Sequence, residues 1–264
     1  MTASIEAKIS VFAKALKLPS VGACYTEASR HAEKNGWGFA EYLHHLLEME
    51  VDDRRRRRVE RNLRRSGLPH DKTLATLDRS RLPAKVGKLL PVLCGGGFLD
   101  RAENILAFGN PGTGKSHLAA AIGHELVHKG FQVLYTPTFR LVHQLLAAKK
   151  ELQLDRLLAR LDRIDAVILD DIGYVQQDRD EMEVLFTFLS ERYERRSVIL
   201  TSNLVFSQWD KIFKDPMTTA AAIDRLVHHA TILELTGKSF RTDVARTNNA
   251  KARSHKAPER EETA

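Results

Sequence analysis

Cysteine is nearly absent: Cys24 and Cys94 are the only two in 264 residues. Neither has a second thiol nearby, which excludes a disulfide framework and a thiolate zinc centre and leaves two buried or idle thiols. No apolar run approaches the ~18 residues of a membrane-spanning helix, and the leading MTASIEAKIS lacks a signal-like apolar stretch. The expectation is a soluble, cytoplasmic protein with no membrane partner. Aromatics are scarce at 7%, yet 43% of residues are apolar, enough for one large domain or a medium one with an appendage. Neither sign of charge dominates overall, with 41 Lys and Arg against 34 Asp and Glu, but the balance is uneven: +6 over residues 1–100, −1 over 101–245 and +2 over 246–264. A near-neutral body with a basic front suggests a polyanionic partner for the front.

Apolar residues recur at helical spacing in the first part of the chain. Ile5, Ile9, Phe12 and Leu16 precede Pro19, a second segment runs from about Gly22 to Asn35, and a third from about Phe39 to Ser66 before Gly67 and Pro69. With no strand signal among them, residues 1–80 read as a small all-α domain that binds DNA or a partner. From about Leu89 short apolar runs alternate with helical segments: Ile105–Phe108, Val133–Tyr135, Ala166–Leu169, Val198–Thr201 and Thr231–Leu235. That alternation predicts an α/β domain over 81–245, a parallel sheet with helices on both faces. Residues 246–264 have almost no apolar side chains and read as a disordered polar tail.

Directly after the first predicted strand stands Gly109-Asn110-Pro111-Gly112-Thr113-Gly114-Lys115-Ser116, which fits G-x-x-x-x-G-K-[ST] and opens an Ala- and Leu-rich helix through His117. Such glycines let backbone N–H groups wrap phosphates at a helix N-terminus, where Lys115 reaches the β and γ oxygens and the Ser116 hydroxyl can ligate Mg2+. The expected ligands are ATP and Mg2+. Another predicted strand, Val167-Ile168-Leu169, ends in Asp170 and Asp171. Asp170 would hold the metal through its outer ligands, and Asp171 would orient or deprotonate the attacking water. The strand Val198-Ile199-Leu200 ends in Thr201-Ser202-Asn203, setting a polar amide at the edge where ligands bind open α/β sheets.

GNPGTGKS, VILDD and VILTSN, followed by AIDRLVHHA and by LTGKSFR at 235–241, together resemble the AAA+ ATPases of the DnaC/IstB branch over about residues 90–245. The LPHDKTLATLD segment is similar to the IstB side, the ATP-binding transposition helpers encoded beside the IstA transposase. The resemblance implies an AAA+ P-loop sheet with a reduced C-terminal lid, since little chain follows Arg241. It makes Asn203 the sensor of the γ-phosphate, Arg225 an arginine finger donated to a neighbouring subunit, and Arg241 a second sensor. A finger in trans implies a homo-oligomer, ring or helical filament. Asp171 stands where many AAA+ proteins have Glu, so slow hydrolysis and switch-like use of ATP are expected. Lys149 and Lys150 fall where DnaC-like and DnaA-like proteins carry an insertion facing nucleic acid, here taken as Thr138–Arg163.

His124-Glu125-Leu126-Val127-His128 fits the zinc-hydrolase pattern H-E-x-x-H. The helix also carries the P-loop lysine, and its apolar stripe Leu118, Ile122 and Leu126 lies roughly 120° to 160° around from the histidines at about 100° per residue. His117, His124 and His128 are therefore expected to face solvent. His44-His45 and His228-His229 show no partner pattern that assigns a site. The basic front is sharper. Arg54, Arg55, Arg56, Arg57 and Arg58 are unbroken and are continued by Arg61, Arg64 and Arg65, with Glu60 the only acid among them. Their mutual repulsion would be relieved by a phosphate backbone with release of counterions. Phosphate contacts position without specifying, so sequence-independent duplex binding is expected.

The combined expectation is a bacterial, nucleoid-associated ATPase that assembles on duplex DNA and assists an IstA-like transposase. Competing readings are a DnaC-like replicative helicase loader, a nucleotide-switched architectural DNA-binding protein that does not hydrolyse ATP, and a small-molecule P-loop kinase. The kinase would leave Asn203, Arg225 and the arginine run unused.

Overall fold

The computed structural model describes residues 2–174, 179–209 and 216–237. The chain divides into two units, Met1–Arg61 and Asn62–Ala264.

The first unit is built of helices α1 (Thr2–Ala15), α2 (Pro19–Asn35) and the larger part of α3 (Phe39–Ser66). Pro19 sits in the first turn of α2, where its missing N–H and fixed φ cost nothing, so that helix begins earlier than its apolar spacing suggests. Glu50 of α3 caps it, accepting from the Ser20 N–H at 2.8 Å and the Val21 N–H at 3.3 Å, while Asp53 accepts from the Ser20 hydroxyl at 2.6 Å. Glu50 thereby satisfies two otherwise orphaned backbone donors, and both carboxylates complement the helix dipole. Glu50 is buried. Burial pushes its carboxyl up, but the Arg54 side chain and the two N–H groups outweigh it and hold it below the usual carboxylate range.

The second unit carries α4 (Ala84–Gly95) and then alternates strand and helix: β1 (Asn104–Gly109), α5 (Lys115–His128), β2 (Val133–Pro137), α6 (Thr138–Lys150), α7 (Leu154–Leu161), β3 (Ala166–Asp170), α8 (Arg179–Arg192), β4 (Ser197–Ser202), α9 (Pro216–Val227) and β5 (Ala230–Leu235). The strands form one parallel sheet in the order β2-β3-β4-β1-β5. Because every strand runs the same way, β1, β3 and β4 deliver their C-terminal ends to one edge, with β4 between the other two. Both faces are covered, which is why the strands read as unbroken apolar runs. Leu106, Val167, Leu169, Val198 and Leu200 pack with Leu141 and Leu145 of α6, Leu161 of α7, Leu185 and Phe188 of α8, and Leu226 of α9. The alternate residues Ile105, Ile168 and Ile199 lie level across the sheet on the α5 face. A Cβ on Gly123 of α5 would come within 2.7 Å of Ile168 Cδ1, so glycine is what lets this helix approach the sheet.

Arg192, at the end of α8, is buried and donates to the carbonyls of Leu161 (2.9 Å), Ile164 (3.0 Å) and Ser197 (2.8 Å). One guanidinium thus ties α7, the approach to β3 and the start of β4 together. Trp209 is fully buried against Phe108 and Phe206, and its indole N–H donates to Leu204 O at 3.2 Å, anchoring the segment that follows β4.

The second unit starts earlier than the change of pattern in the sequence suggests, because residues 62–78 pack on it. Asn62 Nδ2 donates to Gly130 O and Phe131 O at 3.4 and 3.2 Å, Leu68 is buried beside Gly123, and the stretch around Thr73 and Thr76 reaches His117. This overturns the expected solvent exposure of two histidines. His124 is buried with Nε2 2.9 Å from Pro69 O, and His117 Nε2 is 3.1 Å from Thr73 O, whereas His128 is exposed as expected. The apolar stripe of α5 marks only the face turned to the sheet, whereas the segment covering the other face has no periodicity in the sequence. With its Nε2 held by a carbonyl, His124 is a structural hydrogen-bond donor, and among the described residues no metal-ligating cluster includes it.

Candidate nucleotide site and basic helix

β1 ends at Gly109 and α5 begins at Lys115, so the intervening loop turns on its glycines. Gly112 and Gly114 have φ of +81° and +95°. At Gly109 a Cβ would lie 2.5 Å from Leu235 O and 2.9 Å from Thr113 Oγ1, a clash with backbone that cannot be relieved. Thr113 Oγ1 donates to Asn110 O at 2.9 Å, closing the turn. The first α5 backbone bond runs from Leu118 N–H to Gly114 O at 2.8 Å, which aims the earlier N–H groups of the helix out of its N-terminus. Lys115 is buried, and its Nζ donates to Gly109 O (2.7 Å) and Asn110 O (3.0 Å), placing the ammonium inside the concavity. Backbone donors, a helix N-terminus, an internal ammonium and the Ser116 hydroxyl are the donor set that a magnesium-bound nucleoside triphosphate requires, so the residues fit that ligand.

Asp170, at the end of β3, is held on both oxygens. Thr201 Oγ1 donates to Oδ1 at 2.7 Å and the Tyr135 hydroxyl donates to Oδ2. The same Thr201 oxygen accepts the Asp171 N–H at 2.9 Å, so one hydroxyl on β4 fixes both acids. Burial pushes the Tyr135 phenol up, and Asp170 and Asp171 push it further, so Tyr135 stays protonated and remains a donor. Each carboxylate oxygen of Asp170 keeps a lone pair for a metal-bound water. Asp171 has φ +60°, a left-handed conformation that Asp tolerates better than most residues, and its N–H bond to Thr201 holds it there. Asn203 follows β4. Its Oδ1 is buried without a hydrogen-bond partner among the described residues, and a Cβ on Gly173 would reach within 2.4 Å of it. Gly173 keeps room for that amide at the ligand edge.

Arg225 lies at the other end of the sheet. The neighbouring Leu226 O accepts from Asn104 Nδ2 at 3.1 Å, and Asn104 begins β1 whereas the P-loop follows its end. At ~3.3 Å per residue the strand alone separates the two by about 17 Å. Arg225 is half-buried, with its guanidinium over the Phe186 ring of α8 at 4.7 Å. Arg241 and the expected tail over 246–264 lie outside the described residues.

The family described as IstB-like ATP binding protein matches residues 11–248. The chain belongs to that family. An insertion-sequence ATP-binding protein of Sinorhizobium fredii (strain NBRC 101917 / NGR234) is 43% identical over 237 residues, 89% of this chain and 80% of that protein. The insertion sequence IS21 ATP-binding protein of Pseudomonas aeruginosa is 37% identical over 234 residues, 89% and 88% of the two chains. Among solved structures, that of DnaI aligns over 65% of this chain and 96% of its own with a TM-score of 0.54 and 19% identity, a likeness of fold. The fold is the AAA+ P-loop sheet flanked by helices.

In this IstB-like chain the arginine run lies on α3 and is divided in its commitments. Arg54 pairs with Glu50 (2.8 Å) and donates to Lys17 O, while Arg56 and Arg57 both pair with Asp53. Arg55, Arg58, Arg61 and Arg65 are exposed, and no ion pair holds them among the described residues. At 100° per residue, Arg54, Arg58, Arg61 and Arg65 fall within about 60° of one another, so they line one stripe of the helix. Lys149, at the end of α6, is held by Asp180 (3.2 Å) and Glu183 (3.0 Å) of α8, while Lys150 is exposed with no such pair among the described residues. The stretch Thr138–Arg163, expected as an insertion, folds as α6 and α7.

Three residues of the IstB-like site carried no signal in linear sequence. Tyr135 and Thr201 meet Asp170 through strand register, with Pro137 opposite Asp170 and Leu169 opposite Leu200, and Phe186 meets Arg225 through helix packing. Period-2 alternation puts Tyr135 on the face of Pro137, so knowledge of the register alone would have exposed the first contact.

Proposed function

We propose that the chain is a slow, assembly-dependent ATPase that oligomerises on duplex DNA and assists a transposase of the same insertion sequence. The observation that carries this reading is the split of the site. The P-loop, Asp170, Asp171 and Asn203 stand at one edge of the sheet and Arg225 at the other, so a finger can reach the transferring phosphoryl group only from a second copy. Mg2+, held by these residues, would supply positive charge against the negative charge that develops during phosphoryl transfer. Around it, Ser116 and Asp170 hold the ion, Lys115 binds the phosphate oxygens, Asp171 orients the attacking water and takes its proton, and Asn203 donates its amide to the γ position. Arg225 of a neighbouring subunit leaves Phe186 to stabilise charge at the transferring group. Arg241 is assigned to the nucleotide by resemblance alone. The arginine stripe of α3, joined by Arg55, Arg57 and Arg64 and by Lys150, contacts the DNA backbone. The helper role is supported by relatives that carry insertion-sequence names.

The test is sedimentation of the protein with linear duplex, with single-stranded DNA and with neither, each in ATP and in ADP. Large ATP-dependent complexes that prefer duplex are expected. Preference for single strands would replace the helper reading with a helicase loader, and complexes identical in ADP would refute the ATP-driven assembly.

A further inference from the structure

Outside the nucleotide edge, one cluster of metal-ligating side chains comes together from two separate turns. Glu194 follows α8, and His228 and His229 join α9 to β5. One ligand atom from each lies within 4.8 Å of the others. His228 Nδ1 and His229 Nε2 are each 3.8 Å from Glu194 Oε1, and the two imidazole centroids are 4.0 Å apart. Sequence alone gave this histidine pair no partner, because Glu194 lies more than thirty positions upstream.

We propose that Glu194, His228 and His229 form a binding site for a divalent transition-metal ion of the Zn2+ type. Ligands bound to a tetrahedral Zn2+ at about 2.0–2.2 Å are about 3.3–3.6 Å apart, so closing from 3.8 Å needs only small rotations of exposed side chains. Two imidazoles with one carboxylate select Zn2+, Co2+ or Ni2+ over Mg2+, which prefers an all-oxygen shell, so the magnesium of the nucleotide does not compete. The backbone beneath is already fixed. Asn104 N–H donates to His229 O at 2.7 Å, Asn104 Nδ2 to Leu226 O at 3.1 Å, and His228 N–H to Asp224 O at 3.0 Å. The Tyr193 hydroxyl lies 2.8 Å from the same His228 Nδ1, so it gives up that nitrogen when the ion binds there.

An ion bound here ties the end of α8 to the end of α9. Those two helices also meet at Arg225 and Phe186, three residues before His228, so occupancy restrains the helix pair that carries the arginine. The site is independent of the proposed ATPase reaction and can be measured without it.

The experiment is titration of the tag-free full chain with Co2+, followed by visible absorption, and with Zn2+, followed by calorimetry and melting temperature, all in excess Mg2+. One ion per chain and a raised melting temperature are expected. Both should weaken at least about tenfold in His229→Ala and in Glu194→Gln, and stay unchanged in His128→Ala, an exposed histidine outside the cluster. If His229→Ala perturbs folding, the surface variant Glu194→Gln carries the comparison. No saturable binding, or equal binding in the double variant His228→Ala/His229→Ala, overturns the proposal.

Discussion

Tyr135 and Asp170 meet across the parallel strands β2 and β3, the phenol donating to Oδ2 while Thr201 occupies Oδ1 from the other side. A carboxylate clamped from both flanks cannot swing away when a metal is absent. Tyr135→Phe removes one donor while keeping the ring. Loss of such a supporting partner commonly costs 10–100-fold, so ATP turnover should fall about tenfold or more and require more Mg2+. Affinity for ATP measured without Mg2+ should stay within about twofold. Equal losses with and without Mg2+ would show that Tyr135 acts through general stability.

Lys115→Ala and Asp171→Asn separate binding from chemistry. The first removes the ammonium inside the loop and should abolish ATP binding and ATP-dependent assembly. The second should bind ATP and assemble, yet stall, with turnover reduced about 100-fold or more for loss of a general base. Turnover of Asp171→Asn at the parent rate, measured by phosphate release, would remove Asp171 from the water-positioning role.

Charge reversal of Arg55, Arg58 and Arg65 to Glu should weaken duplex binding and flatten its dependence on salt, because each lost phosphate contact removes about 0.9 from the slope of log affinity against log salt. Fluorescence anisotropy at several salt concentrations checks this. Lys149→Ala should change the slope little, since Asp180 and Glu183 already neutralise that ammonium. An unchanged slope in the triple variant would move the DNA surface elsewhere.

Glu50 makes the first unit acid-sensitive. Its carboxyl is held below its unfolded value of about 4.3, so its contribution is full above that pH and is lost as pH falls through the lower folded value. Glu50→Gln should lower the melting temperature of the first unit at pH 7 by about 4–8 °C, equivalent to ~1 kcal/mol. It should also flatten the decline in helical circular dichroism below about pH 4. A decline as steep as in the parent protein would assign acid sensitivity to other carboxylates.

What was legible in sequence and what was not divides by distance along the chain. The P-loop is eight consecutive residues whose backbone does the binding, so spelling it out locates it. Asp170, Asp171 and Asn203 were visible because each ends an apolar run, and a parallel sheet brings such ends to one edge. Tyr135 and Thr201 were not, since their roles come from a register set by strands some thirty positions away. Lys149 looked available because the acids that hold it sit on α8, more than thirty residues on. His117 and His124 were placed on the wrong side of the solvent boundary for the same reason, the covering stretch at 67–78 having no period to announce it. Arg54 and Arg57 were legible as charge but not as the partners of two capping carboxylates.

Whether a second copy completes the nucleotide site is decided by mixing two inactive variants. Lys115→Ala lacks the phosphate-binding ammonium but keeps Arg225, and Arg225→Ala keeps an intact P-loop but has no finger to donate. Each alone should hydrolyse ATP at under about 1% of the parent rate, as loss of a finger costs 10³–10⁵-fold in other P-loop enzymes. Mixed in equal amounts on duplex DNA, they should recover a substantial fraction of parent turnover, because interfaces pairing an intact loop with an intact finger re-form. Turnover no greater than the sum of the two separate variants would contradict the account.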